Sequence, residues 1–242
     1  MLKFFNCILH TKKLVLFMNL KNRYKIVYSI LVVFMIFSCT PSRIVRPLEK
    51  GNKLITAHLG GPLIGFAETT IPIPFTSVMY AQGVSDKLTA FGSLHTTSLF
   101  FGVFQTDIGV CYKMYYNDKW KLGISAAPSL NIAFDKWESN LKIWPLLDVN
   151  AYWEITQKKS FFYAGVNNWF ELANNKAHEQ VQVNNWFINP QLGFNYVRKK
   201  WNYNIETKYL APSIKNEPNV VDYRGINGYG ALGIYLGFTR TF

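Results

Sequence analysis

A chain of 242 residues with 17% aromatic but only 17% charged residues departs from soluble globular domains, which carry about a quarter charged residues. The net charge of +12 suggests an anionic partner, yet six of the Lys and Arg precede Cys39 with no acidic residue among them, leaving a scattered 20 against 14 beyond it. That residue of charge excludes nucleic acid as the expected partner, and three cysteines (Cys7, Cys39, Cys111), the first in a leader, exclude a disulfide framework.

The first predicted element is a leader over residues 1–38. Lys21, Arg23 and Lys25 form a basic region, followed by an apolar run from Ile26 to Phe37 that is too short to span a bilayer. Residues 1–17 would make the leader overlong, so Met18 is read as the true start. The run ends Ile36-Phe37-Ser38-Cys39, which resembles the lipobox of bacterial lipoproteins, with Ser38 as the small residue before the cysteine. Phe37 departs from the commonest pattern but is similar to leaders of Bacteroidota lipoproteins. The resemblance implies a diacylglycerol on the Cys39 thiol and handling by lipoprotein-sorting machinery. Residues 39–51 are polar, basic and proline-containing, and are expected to form a periplasmic tether. Surface-exported lipoproteins of that phylum carry an acidic run after the cysteine; Thr40-Pro41-Ser42-Arg43 stands here instead, which implies retention on the periplasmic side.

Residues 52–242 form a series of alternating segments. In 121–132, Lys121, Gly123, Ser125, Ala127, Ser129 and Asn131 share one face, while Leu122, Ile124, Ala126, Leu130 and Ile132 share the other. In 141–155, Asp148, Asn150, Tyr152 and Glu154 oppose Ile143, Leu147, Val149 and Trp153; in 186–196, Asn189, Gln191 and Asn195 oppose Ile188, Leu192 and Tyr196. Bulk on the apolar face and charge with glycine on the other is the pattern of a closed barrel in lipid. The expected fold is all-β: a closed antiparallel up-and-down transmembrane β-barrel of about ten strands. The strands are expected at 52–60, 76–85, 88–98, 103–116, 120–133, 141–156, 161–172, 185–197, 201–211 and 229–242. Tight connections at 85–87, 117–119, 157–160 and 198–200 alternate with mostly longer ones, placing both termini in the periplasm of a bacterial outer membrane. Leu232, Ile234, Leu236, Phe238, Arg240 and Phe242 end the chain on one face. This resembles the C-terminal signature of outer-membrane barrels, although Arg240 replaces the usual aromatic. The resemblance implies that Phe238 and Phe242 are read by the barrel-assembly machinery.

Chemistry is sparse. Ser93 and His95 invite a hydrolase reading, but an i, i+2 spacing leaves them about 7 Å apart on the lumen face, beyond mutual hydrogen-bond reach. Scattered His58, His95 and His178 give no metal signature, and no cofactor motif is present. Asp107, Lys113, Lys121, Asp148, Glu154, Glu171, Glu206 and Lys208 are expected to point inward and form a lumen charge network that fills a narrow barrel. The sequence therefore predicts a non-enzymatic, structural or accessory envelope component that acts through its loops and tether. Its expected partners are outer-membrane lipids and another envelope protein. A narrow channel for small solutes or ions and a lipid-modifying enzyme are the alternatives.

Overall fold

The computed structural model describes residues 44–66, 68–136, 140–155, 159–173, 182–216 and 221–242. Cys39 and the leader lie outside the described residues. The alternating segments become β1 (Lys53–Phe66), β2 (Thr69–Pro72), β3 (Phe75–Gly83), β4 (Leu88–His95), the one-turn helix α1 (Thr96–Phe100), β5 (Val103–Asn117), β6 (Leu122–Asp135), β7 (Asn140–Glu154), β8 (Phe161–Phe170), β9 (Trp186–Arg198), β10 (Trp201–Lys215) and β11 (Tyr229–Thr241). Every pairing is antiparallel, and β11 returns to pair with β1 from Leu54↔Thr241 to Pro62↔Gly233. Because β2 pairs with the distal end of β1 alone, the closed ring has ten strands. Closure leaves no free edge among the ten ring strands, the condition for a sheet in a medium without water.

Three strand ends differ from the expected ones, each for a local reason. Residues 61–75, read as a loop, continue β1 to Phe66, which folds back on β2 with Ile64 opposite Ile71. Residues 96–98, read as strand, instead open α1. The Thr76 hydroxyl bonds those of Thr96 and Thr97 at 2.7 and 2.8 Å, and Thr97 Oγ1 accepts the Thr76 N–H, drawing the chain off the ladder. Strand β10 runs to Lys215 through a register shift after Leu210, where Ala211 takes a φ of +44°.

The tight turns gather at one end of the barrel. Ser85 Oγ accepts the Lys87 and Leu88 N–H groups, and Asn117 Oδ1 accepts that of Trp120. The start of β1 and the last residues belong to the same end: Thr241 N–H donates to Lys200 O, and Phe242 N–H to Lys53 O.

Alternation sorts the two faces as the sequence implies. Outside stand Ile55, Leu59, Ile108, Leu130, Ile143, Leu192 and Ile205, all exposed. Trp120, Trp153, Trp201 and Tyr203 lie toward the tight turns, and Trp186 beside Phe170 toward the other end, exposed or half-buried on the outer wall. Inside, large rings lie over glycines on the neighbouring strand, as at Gly123↔Tyr152 and Gly193↔Tyr163. A Cβ on Gly123 would sit 2.1 Å from Tyr152 Cζ. Gly123→Val is therefore expected to displace the Tyr152 ring and cost about 1–3 kcal/mol, read as a lowered urea midpoint at constant slope.

Candidate functional site

The segment expected to hang free as a tether is instead part of the interior where it is described. Of Ile44, Val45, Arg46, Pro47 and Leu48, four are apolar, and a solvated tether would leave that surface in water. Ile44 packs with Leu54, Met79, Ala81, Phe91, Cys111 and Ala127, with Leu48 against the same cluster. Val45 packs with Tyr152, Phe161 and Tyr163. Polar contacts fix the register: Ser125 Oγ donates to the Val45 carbonyl at 2.5 Å, and the Leu48 N–H donates to Thr89 Oγ1 at 2.7 Å. Arg46 donates to Glu154 Oε1 at 3.1 Å and to Lys159 O at 2.9 Å, and its guanidinium lies over the Phe161 ring. At the rim, Lys159 pairs with Glu49 at 2.6 Å and holds that carboxyl below the usual carboxylate range.

Beside this plug, at the tight-turn end, a cavity of about 450 Å³ lies between the segment and residues of β1, β3, β5 and β7 to β11. Deeper in, side chains fill the lumen. Paired positions Ser93, Asp107 and Asn131 on β4, β5 and β6 bond across the ladder. Asp107 Oδ2 accepts from Ser93 Oγ, and Oδ1 from Asn131 Nδ2, both at 2.7 Å. His95 Nε2 lies 2.7 Å from Asp107 Oδ2, and Gln105 links Asn131 to Ser98. On the opposite wall Asn167 donates to Asp148 at 2.6 Å, and Asn189 donates to Asn167 at 2.9 Å. Gln191 donates to Asn150 Oδ1 at 2.6 Å. On β10, Lys208 Nζ is 3.5 Å from Glu206 Oε1, while Tyr163 donates to Glu206 Oε2 at 2.6 Å.

The expected charge network is thus resolved into separate groups, in which neutral donors stand beside the ionic partners. Asp107 and Asp148 are held by asparagines, with His95 beside the former; Glu206 and Lys208 hold each other; Glu154 pairs with Arg46, which the sequence reading assigned to the tether. Glu171 accepts Trp144 Nε1–H at 2.7 Å near the far rim, and Lys113 borders the cavity. Lys121 is not in the lumen. Its φ of +49° closes the turn before β6, breaking the alternation, and its half-exposed side chain faces Asp118 at 3.9 Å. On the outer wall Phe238 packs against Tyr203, and exposed Phe242 lies beneath the Arg240 guanidinium. Sequence reasoning missed Arg46 and the role of amides as partners of Asp107 and Asp148. The signal for the amides was present, since Asn131, Asn150, Asn167, Asn189 and Gln191 recur at lumen-parity positions.

Ser93, His95 and Asp107 meet, but in an arrangement unlike a catalytic triad. Ser93 and His95 both bond the same carboxylate oxygen, so the serine proton points at Asp107 and the imidazole has no contact through which to take it. All three are buried. Among the described residues no three His, Cys, Asp or Glu side chains are grouped to hold a metal ion.

The fold and interior define a closed ten-stranded antiparallel barrel with an apolar exterior and a filled polar lumen. No family description matches the sequence, and no curated protein matches it. Among solved structures the chain is similar to an outer membrane channel from Pseudomonas putida F1, at 8% identity and a TM-score of 0.47 over 85% of this chain and 100% of that one. It is similar to the translocator domain of the autotransporter NalP from Neisseria meningitidis, at 9% identity and a TM-score of 0.44 over 81% and 90%. The outer membrane protein OprG from Pseudomonas aeruginosa follows at 12% identity and a TM-score of 0.31 over 82% and 99%.

Proposed function

We propose that this protein is an outer-membrane barrel lipoprotein, anchored through Cys39 with both termini in the periplasm. In this reading it is a structural or accessory component of the envelope, acting through its loops, and not an open pore. The observation that carries it is the doubly filled lumen: the Ile44–Leu48 segment occupies the tight-turn end, and the buried Asp107, Asn131, Asp148, Glu206 and Lys208 groups occupy the middle. The exposed apolar outer wall with aromatic residues toward both ends supports a bilayer environment. Purified full-length protein in planar bilayers is expected to show no steady conductance. Stable porin-like steps would overturn the accessory reading.

A narrow gated channel is the second reading, favoured by one observation: the plug is held by non-covalent contacts alone among the described residues.

Two further outcomes test the anchor and the orientation. Cys39→Ala is expected to abolish labelling by a fatty-acid analogue while leaving the barrel's heat-modifiable migration on gels intact; labelling that survives would remove the lipid anchor. With Cys111 buried, a cysteine at exposed Val183 should react with a membrane-impermeant maleimide on whole cells, and one at exposed Lys119 should not. The reverse pattern would invert the barrel.

A further inference from the structure

We propose that the outer wall formed by β9, β10 and β11 holds one anionic phospholipid, its phosphate at Arg198 and Arg240 and its acyl chains on the apolar rows beside them. The strand register builds this site row by row. In the row nearest the tight turns, Arg198 on β9 stands directly opposite Trp201 on β10, and Trp201 directly opposite Arg240 on β11. The next row is Tyr196, Tyr203 and Phe238, followed by Ile205 opposite Leu236. All of these side chains are exposed on the outer wall. An order of cation, ring and aliphatic surface matches the order of phosphate, glycerol and acyl chain along a phospholipid.

The position of one cation is fixed by its neighbours. The Arg240 guanidinium lies over the Trp201 ring, 5.4 Å from its centroid, and over that of Phe242 at 5.5 Å. Stacking occupies the faces of the guanidinium and leaves its N–H fork for an anion. Arg240 thus leans onto Trp201 toward β9, and Arg198 stands on the other side of the same ring. Two strand spacings are about 10 Å, so one phosphate at that ring is within reach of both side chains. Among the described residues neither arginine has an ion pair. No carboxylate competes on this wall: β9, β11 and β1 carry no acidic residue, and the one on β10, Glu206, is buried in the lumen. Exposed Lys53, whose carbonyl accepts the Phe242 N–H, adds a third cation at the same rim. A zwitterionic head group would bring its own ammonium against these three charges, so the site selects a net anionic lipid. The corresponding row on β6, β7 and β8 is Leu122, Trp153 and Phe162, which carries no charge and confines the site to one side of the ring. This inference rests on the reading of the outer wall as bilayer-facing and is independent of whether the lumen conducts.

The test begins with flotation of full-length protein with phosphatidylcholine vesicles. Failure to insert would overturn the bilayer reading and this inference with it. Inserted protein is then extracted into an uncharged detergent and titrated with phosphatidylglycerol, phosphatidylcholine or inorganic phosphate, and bound ligand is counted by native mass spectrometry. The expected result is one saturably bound phosphatidylglycerol, with phosphatidylcholine and phosphate about tenfold weaker or more. Arg198→Gln/Arg240→Gln should lose about tenfold or more in affinity for phosphatidylglycerol, whereas Lys87→Gln/Lys119→Gln, at two other tight turns, should lose none. Should the arginine variant fail to insert, phenylglyoxal modification of the wild type serves instead. Phosphatidylglycerol should slow modification of Arg198 and Arg240 and leave that of Arg224, which is paired with Asp222, unchanged. Equal binding of the two lipids, equal binding of inorganic phosphate, undiminished affinity in a folded arginine variant, an equal loss in the lysine variant, or no protection of the two arginines would each overturn the proposal and leave the bilayer reading standing.

Discussion

Lys208→Ala is expected to lower stability by about 3–5 kcal/mol, because it leaves the Glu206 carboxylate in the lumen without its cation. The pair is sealed: Glu206 is 1% and Lys208 3% exposed, and both project from one strand two residues apart. With the ammonium gone, Tyr163 still donates to Glu206 Oε2, but one neutral donor does not replace a positive charge at 3.5 Å. The check is a urea titration of folded barrel, followed by band shift on unheated gels. Replacing both partners, as in Glu206→Gln/Lys208→Met, should recover most of the loss, since an apolar and amide pair of similar volume needs no charge compensation. Glu154→Ala is the contrasting case. Its partner Arg46 is 22% exposed and retains the Lys159 carbonyl and the Phe161 ring, so the cost should be about 1 kcal/mol. Equal losses for Lys208→Ala and Glu154→Ala would show that the two pairs do not differ in burial as described.

The barrel was legible in the sequence because its signal is periodic and local. In β6 every second residue is small or polar while its neighbours are apolar, and a one-residue slip would expose each polar group to the outside. The turns were legible for the same reason, through Ser85, Asn117 and runs of lysine. What escaped was decided by contacts between distant segments. Arg46 stands in a stretch whose composition reads as linker, and only the folded ring brings Glu154 within 3.1 Å of it, 108 residues away in sequence. Lys121 has the correct parity for the lumen, but its left-handed φ places it in a turn, and parity does not carry across a turn. Charges were expected to seek opposite charges, whereas Asp107 and Asp148 are met by amides at directly paired strand positions. An amide supplies a donor without the desolvation cost of a second ion, so amide partners are the less costly way to satisfy a carboxylate in a closed lumen.

Ile44→Asp/Val45→Asp is expected to expel the N-terminal segment from the lumen while leaving the barrel folded. Burying Ile44, Val45 and Leu48 contributes roughly 5–9 kcal/mol at about 1.5–3 per side chain. Ordering five backbone residues costs about 5–10 kcal/mol. These nearly cancel, so the segment is held by a small margin supplied by its polar contacts, the Arg46–Glu154 pair and the bonds to Ser125 and Thr89. Two carboxylates forced against Leu54, Phe91, Tyr152 and Phe161 exceed that margin severalfold. Proteinase K should then remove the N-terminal segment from the variant in detergent and spare it in the wild type, with the barrel band unchanged in both. Conductance separates the two functional readings in the same variant. The middle layer is carried by the ring strands: Asp107, Asn131 and Glu206 are 0–1% exposed, and Tyr163 links Glu206 to Val45 of the plug. An accessory barrel therefore stays non-conducting after the segment has left. Steady ion flow in the variant, absent from the wild type, would instead make the segment a gate and the protein a channel.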